Sequence, residues 1–357
     1  MAWTFELDRK DCAVAQIVRA GDSVQIVLKE GETLLAVERV SITANNVTYA
    51  RVGERLGYWR FFPVNDAASG IVPAWGFARV IRTTRPDISL GQRVYGYLPM
   101  ADNLVAQLEP AGGALIDRAP HRTPMAAVYN NYAFAPDVSP HDDHRALLQP
   151  LLVTSFLIDG HLSDEAMFGA ARVVLSSASS KTAMGLAWML RQRGEVEVVG
   201  LSSTSNAAKI AGTDCYDRLL TYADTAALAV DRVKSIYVDF AGDPTLTHTL
   251  HTALAEYLVA SILVGGTHWD APTNAATLPG VAPQFFFAPE NARARIAAWG
   301  EREFHQKFSA SLGAFISASP WLVIDHFKGA EGMAAAWHAA LTGQTDPTHG
   351  IIVTIEG

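Results

Sequence analysis

Cysteine is nearly absent from this chain: there are two among 357 residues, Cys12 and Cys215, far apart in the sequence. So few thiols exclude a disulfide scaffold and suit a reducing compartment. Neither cysteine lies at a metal-ligand spacing, and no paired-cysteine lobe occurs, so no metal is expected. Long hydrophobic runs are also missing. The nearest, Ala146–Ile158, is broken by Gln149 and Pro150. It falls short of the roughly 18 apolar residues that a membrane span needs, and it reads as the start of a buried helix. The N-terminus carries charge early and does not read as a signal peptide, so the expected location is the cytoplasm, with no membrane partner. Basic clusters are lacking too. Lys and Arg total 28 against 36 Asp and Glu, a net charge of −8. A surface of that sign repels polyphosphate backbones, and no nucleic-acid partner is expected. There are no internal repeats and no low-complexity tracts.

What remains is the composition of a globular protein, 49% hydrophobic and 18% charged, long enough for roughly two domains. The first 125 residues read as β-rich. Ser23–Leu28, Thr33–Ile42, Trp75–Thr83 and Gln92–Leu98 are expected strands, with turns at Arg85-Pro-Asp and Leu90-Gly91, in the manner of a small barrel or sandwich. After a polar run at Pro136–His144, strands alternate with helices. Val173–Ser176 precedes a helix over 182–193, Val196–Leu201 precedes Asn206–Ala211, Ser235–Asp239 precedes Leu246–Leu258, and Ala260–Val264 ends at Gly265 and Gly266. That alternation implies a parallel, doubly wound sheet with its loops gathered on one edge, where ligands bind. Trp321–Asp325, Gly329–Leu341 and Gly350–Ile355 close the chain as strand, helix and strand. The last of these is suited to pairing back with the N-terminal part.

The strand-turn-helix at Arg172–Arg191 has the rhythm of a dinucleotide-binding unit without most of its glycines. Phosphates need backbone N–H groups at a helix N-terminus and a turn that lets them approach closely. Small residues fill that turn here. Ser179, Ser180 and Thr182 offer hydroxyls and Lys181 a positive charge beside a pyrophosphate; an ordinary strand-helix turn is the bland alternative. The second strand ends in Ser202 and Ser203, not Asp or Glu, with Lys209 following. A 2′-phosphate is repelled by carboxylate and accepted by hydroxyls and an ammonium, which favours NADP(H) over NAD(H). The same serines are also good helix caps. Gly242, Gly265 and Gly266 follow later strands, where tight turns would pass under the cofactor's ribose and nicotinamide.

Several segments together resemble the medium-chain dehydrogenase/reductase superfamily, in its zinc-independent, quinone-reductase-like branch. Leu35–Ile42 is similar to that superfamily's early strand, and Asn45 or Asn46 with Tyr49-Ala-Arg-Val-Gly53 to the Asn and Tyr-x-Arg-x-Gly that follow it. Leu90–Gly96 is similar to its Gly-Asp-Arg-Val turn, with Gln92 in place of Asp. Ser202–Lys209 resembles its NADPH segment, Asp214–Tyr222 the Gly-Ala-Asp…Tyr stretch, and His349–Val353 the closing strand. Nearly the whole length is covered, while the Gly-Gly-Val-Gly loop is replaced by Ala178–Ala183. The chain looks like a divergent offshoot of the kind designated a domain of unknown function (DUF2855-type). The resemblance implies a Rossmann-like doubly wound α/β domain at 126–310. It also implies a GroES-like β-rich domain at 1–125, completed by 311–357. It implies an oxidoreductase using NADPH on an enone, quinone or similar small molecule, with Tyr222 at the cofactor and Tyr49 and Asn46 holding the substrate carbonyl. In relatives the region around Ala260–Val264 pairs with a second subunit, so a homodimer is an expectation.

Aromatic clustering adds pocket candidates for a planar substrate: Trp59, Tyr97, Tyr129, Asn130 and Tyr132. Two phenols and two amides at 129–132 are costly to bury unpaired. His141-Asp-Asp-His144 reads as a solvated polar loop rather than a metal site. A serine hydrolase reading of Ser177–Lys181 fails for want of Gly-x-Ser-x-Gly or Ser-x-x-Lys. The remaining alternative is a protein on the same fold that binds a nucleotide without turnover, or has lost cofactor binding altogether.

Overall fold

A computed structural model describes residues 2–21, 25–264, 278–343 and 345–355, and every count of strands, helices or contacts is of those residues. They fall into two units. The first is Met1–Leu147 with Leu322–Thr345 and His349–Gly357, and the second is Leu148–Trp321 with Asp346–Thr348. In chain order the first unit opens with β1 (Trp3–Asp8), β2 (Ala15–Arg19), β3 (Thr33–Ile42), α1 (Ala44–Arg51), α2 (Gly53–Leu56), β4 (Ser69–Gly70), β5 (Pro73–Thr83), β6 (Arg93–Pro99), β7 (Asn103–Ala106), β8 (Leu108–Ala111), β9 (Ala114–Asp117) and β10 (Asn131–Phe134). Next come α3 (Asp142–Asp164), β11 (Arg172–Leu175), α4 (Lys181–Arg193), β12 (Glu197–Ser202), α5 (Thr204–Ile210), β13 (Arg218–Thr221), α6 (Ala227–Val230), β14 (Ser235–Asp239), α7 (Pro244–Leu254), β15 (Leu258–Leu263), β16 (Gln284–Phe285), α8 (Ala288–Trp299) and α9 (Glu301–Ser317). The chain then returns to the first unit as β17 (Val323–Lys328), α10 (Gly329–Leu341) and β18 (His349–Thr354).

The first unit is built on two sheets. One is three-stranded, β2-β1-β4; the other runs β17-β18-β3-β5-β6-β10-β9-β8, with β7 beside β3. The terminal strand β18 pairs antiparallel with β3, Ile351 opposite Ile42, as expected from the sequence. Alternate residues of β3, such as Leu35 and Val37, turn into one core with Phe5, Trp59, Tyr97 and Met333. The expected strand at Ser23–Leu28 begins outside the described residues, and Gln25–Leu28 carry no strand. Instead β2, a mostly exposed edge, lies at 15–19.

The second unit is a six-stranded parallel sheet in the order β13-β12-β11-β14-β15-β16. Its central strands β11, β12, β14 and β15 are mostly buried and rich in Val, Ile and Leu because both faces are covered. On one face Val173, Leu175, Val198, Ile236 and Val238 share a core with Leu157, Ile158 and Leu162 of α3 and with Met184 and Leu190 of α4. Val174, Val199 and Tyr237 turn to the other side, against Leu246, Leu250 and Leu254 of α7.

The units divide later in the chain than the expected boundaries at 125/126 and 310/311. β10 pairs with β6 and β9, which keeps residues through Phe134 in the first unit. In α9, Phe304 and Phe308 pack against Phe156, and Phe315 against Trp188 and Trp321, which keeps that helix in the second. The edge expected at Ala260–Val264 is partly covered, since Ile262 and Leu263 pair with β16. The run at Ala146–Ile158 lies within α3, the one described helix long and apolar enough to cross a membrane. It carries Asp142, paired with Arg93 at 2.8 Å, and Asp159, paired with Arg193 at 2.7 Å, and 56% of its most apolar window is buried inside the protein. The expected polar loop at His141–His144 is therefore a helix start. Asp142 also accepts from the Ser139 N–H, and Asp143 pairs with Arg39 at 2.6 Å. Acidic groups are favourable in a first helical turn.

One buried ion pair organises the far end of the first unit. Arg122 and Asp117 are both buried, 3.3 Å apart. The Arg122 guanidinium also donates to the Tyr132 hydroxyl (2.7 Å) and the Tyr129 carbonyl (3.2 Å), and lies over the Phe61 ring. Removing one partner of such a pair strands the other charge. Arg122→Met is expected to cost about 3–5 kcal/mol in urea unfolding, with part of the loss recovered in Arg122→Met/Asp117→Asn. A loss below about 1 kcal/mol would contradict the pairing.

Candidate functional site

In the second unit the strand order reverses between β11 and β14, and the carboxyl ends of those two strands mark the place where doubly wound sheets hold ligands in a crevice. A buried carboxylate fixes its floor. Asp239, the last residue of β14, accepts at Oδ1 from the Ser176 hydroxyl (2.7 Å), the Ala241 N–H (2.9 Å) and the Gly242 N–H (3.1 Å), and at Oδ2 from the Thr247 hydroxyl (3.1 Å). The Ser176 Oγ accepts in turn from the Phe240 and Ala241 N–H groups. Gly242 has φ +63°, and its N–H serves this turn.

The glycine-poor loop works because it needs the left-handed region at one residue only. Ser177 has φ +49°, and its N–H donates to the Tyr222 hydroxyl at 3.2 Å. Burial raises the Tyr222 phenol above its ordinary pKa, so it keeps its proton. The other roles of glycine have moved elsewhere. A Cβ on Gly185 of α4 would stand 2.4 Å from Leu152, and one on Gly200 of β12 would stand 2.8 Å from Ala178. Close packing of helix and sheet is thus secured outside the loop. Ser180 caps α4, accepting from the Ala183 N–H, and Ser179 accepts from the Asn206 side chain at 3.2 Å. With α4 behind them, Ser179, Ser180, Lys181 and Thr182 lie where a helix N-terminus presents partial positive charge.

At the end of β12, Ser202 is buried, while exposed Ser203 caps α5 by accepting from the Asn206 N–H. Lys209 lies in the last turn of α5. It pairs with Asp346 at 3.2 Å, and Lys181 donates to the Pro347 carbonyl at 3.3 Å. The Thr348 hydroxyl and N–H, then Lys209, hold the Asp346 carboxyl at about 2. The structure thus gathers Ser179, Ser180, Lys181, Ser203, Lys209 and Tyr222 around linked loops of one unit. Gly265 and Gly266 lie outside the described residues. Ser176, Asn206, Asp239 and Asp346 complete the arrangement. Asp239 was signalled only by ending a strand before a Gly turn, and Asp346 by nothing local.

The first unit holds the other candidates. Half-buried Tyr49, Tyr58, Trp75 and Tyr129 surround buried Tyr97. Ring centroids are 4.5 Å apart for Tyr49 and Tyr58, 4.7 Å for Tyr97 and Tyr129, and 4.9 Å for Trp75 and Tyr97. Burial first, and the neighbouring Tyr129 second, raise the Tyr49 phenol, leaving it a hydrogen-bond donor. Asn46 plays a structural part. Its Oδ1 accepts from the Thr43 N–H in a capping box that starts α1, and its Nδ2 donates to the Pro73 carbonyl. Trp59 is core, wedged against Gly53 and Gly70. The Tyr132 hydroxyl donates to the Tyr97 carbonyl, and the Asn130 amide donates to the Arg122 carbonyl. Tyr132 and Asn130 are thus held to the strand and turn that carry the cluster. Trp75 joins it because it stands opposite Tyr97 in the β5–β6 register.

The model of a family described as "Protein of unknown function (DUF2855)" matches residues 40–346. No curated protein matches the chain by sequence. Among solved structures, the chain is similar to CurA from Vibrio vulnificus in complex with NADPH (12% identity, 96% of this chain and 94% of that chain, TM-score 0.63). It is similar to CurK enoyl reductase (13% identity, 99% of each chain, TM-score 0.60). It is also similar to S. aureus TarJ in complex with NADPH (8% identity, 100% of this chain and 99% of that chain, TM-score 0.57). At these identities the likeness is one of fold, a Rossmann-like unit with a GroES-like β-rich unit.

The Ser176–Asp239 pair makes a direct demand on stability. Ser176→Ala leaves the part-buried Phe240 N–H without its partner and takes one hydrogen bond from the buried Asp239 carboxylate, and is expected to cost about 1–3 kcal/mol in urea unfolding. An unchanged midpoint would remove Ser176 from the crevice floor.

Proposed function

Given that the chain belongs to the DUF2855 family, we propose that it is an NADPH-dependent oxidoreductase that needs no zinc and reduces an enone, quinone or similar carbonyl-activated small molecule. One observation carries this reading. Beside the switch point of a doubly wound sheet, the N-terminus of α4, Lys181, Lys209 and several hydroxyls lie on loops joined through Asp346 and Pro347, and β12 ends in Ser202 where a carboxylate would repel a 2′-phosphate. That donor set fits a dinucleotide with an extra phosphate. Lys181, Ser179, Ser180 and Thr182 would bind the pyrophosphate; Ser202, Ser203, Lys209 and Tyr222 would bind the adenosine end. The structures of CurA and TarJ with NADPH support the choice of cofactor by likeness of fold.

NADPH supplies a hydride when bound. The protein's part is then to orient a carbonyl and hold a proton near it. Tyr49 is the candidate for that, since its phenol stays protonated and its ring packs edge-on against Tyr97, beside which Tyr129 lies. Asn46, occupied with its cap, is given no catalytic role. Among the described residues no group of three His, Cys, Asp or Glu side chains could hold a metal, and Cys215 is a buried thiol pushed up to about 11 by burial. The proposed localisation is the cytoplasm.

Titration followed by nicotinamide fluorescence tests the cofactor. NADPH is expected to bind more tightly than NADH, and Lys209→Ala to weaken NADPH about tenfold (~1.4 kcal/mol) with little effect on NADH. No binding of either nucleotide would sink the reading and leave a non-catalytic protein on the same fold. With a quinone or enone substrate, Tyr49→Phe is expected to lower kcat about a hundredfold; an unchanged kcat would remove Tyr49 from the chemistry.

A further inference from the structure

The segment Asp346-Pro-Thr348, which belongs to the second unit, reaches both lysines of the crevice. Asp346 Oδ2 is 3.2 Å from the Lys209 ammonium, and the Pro347 carbonyl accepts from Lys181 at 3.3 Å. The segment is held in shape from within: Asp346 Oδ1 accepts from the Thr348 N–H at 2.9 Å and from the Thr348 hydroxyl at 2.6 Å. A carboxylate and a carbonyl therefore stand beside two cations, as the oxygens of a phosphorylated ligand would.

We propose that Asp346 sets the affinity and selectivity of the crevice for the 2′-phosphate, acting as an internal anion that holds Lys209 in the free protein and must release it when a 2′-phosphorylated nucleotide binds. This rests on the cofactor reading above and extends it to a residue outside the dinucleotide motif. The exchange is feasible because the pair is weak. The Lys209 and Asp346 side chains are 46% and 32% exposed, and exposed ion pairs contribute little. A phosphate dianion offers Lys209 more charge and more acceptors than one carboxylate. Until it moves, Asp346 also repels that phosphate. A nucleotide with a free 2′-hydroxyl meets no such repulsion, so the effect is selective.

Asp346→Asn isolates the charge, since the amide oxygen can still accept both hydrogen bonds from Thr348. The experiment titrates the full chain and its Asp346→Asn, Lys209→Ala and double variants with NADPH and NADH, alongside thermal unfolding. The expected result is a gain of about fivefold in NADPH affinity for Asp346→Asn, less than about twofold for NADH, and a small fall in the unfolding midpoint from the lost ionised carboxyl. The gain is expected to vanish when Lys209 is already Ala, because the two residues act through one contact. Equal gains for both nucleotides, a loss for NADPH, or a gain that survives Lys209→Ala overturns the proposal and leaves the cofactor reading standing. If none of the four proteins binds NADPH, both fall together.

Discussion

The Asp239 carboxylate is the constraint on which the crevice depends. It lies at the carboxyl end of β14, is almost fully buried, and takes four hydrogen bonds from three directions: the loop after β11, its own turn, and α7. A buried charge is tolerated only when its acceptors are satisfied. Satisfying this one fixes the separation of the two loops at the point where the strand order reverses. Ser176, locked to Asp239, is followed at once by left-handed Ser177 and then by the cap of α4. The Ser180 hydroxyl at that cap is placed by the turn that follows the floor.

The first unit shows the same logic with the sign reversed. Arg122 is a buried cation paired with Asp117 that donates to a phenol and to backbone carbonyls. It holds the chain at 129–132 and thereby places Tyr129 against Tyr58, Trp75 and Tyr97. Each unit thus has its candidate residues supported by one desolvated charge, Asp239 held by neutral donors and Arg122 by a carboxylate and neutral acceptors. Such support makes a site geometrically definite without making it rigid throughout.

Much of the fold was legible because it follows from local pattern. Short runs rich in β-branched and aromatic residues at Arg172–Leu175 and Ser235–Asp239 suit doubly covered strands, and small-residue turns separate them from helices. Thr33–Ile42 and Gly329–Leu341 have the bounds expected of them. Other parts were hidden for physical reasons. Residues 44–51 contain Asn, Thr and Val, weak helix formers, and become α1 because the Thr43–Asn46 capping box satisfies its first turn. Asn46 looked catalytic by its place in a motif, yet a side chain that caps a helix and reaches Pro73 is already engaged at both ends.

By itself the sequence determined the alternation of strands and helices in the second unit, the parallel sheet, and the hydroxyl-rich, glycine-poor turn, because periodicity, capping and turn chemistry act between near neighbours. Tertiary structure alone decided which of those groups meet. Asp239 joins Ser176, Trp75 joins Tyr97, and Asp346 joins Lys209, all through contacts between residues far apart in the chain. Such pairings depend on strand register and loop closure, which no local pattern encodes. A carboxylate the second strand lacks at Ser202 is brought back beside Lys209 from the far end of the chain.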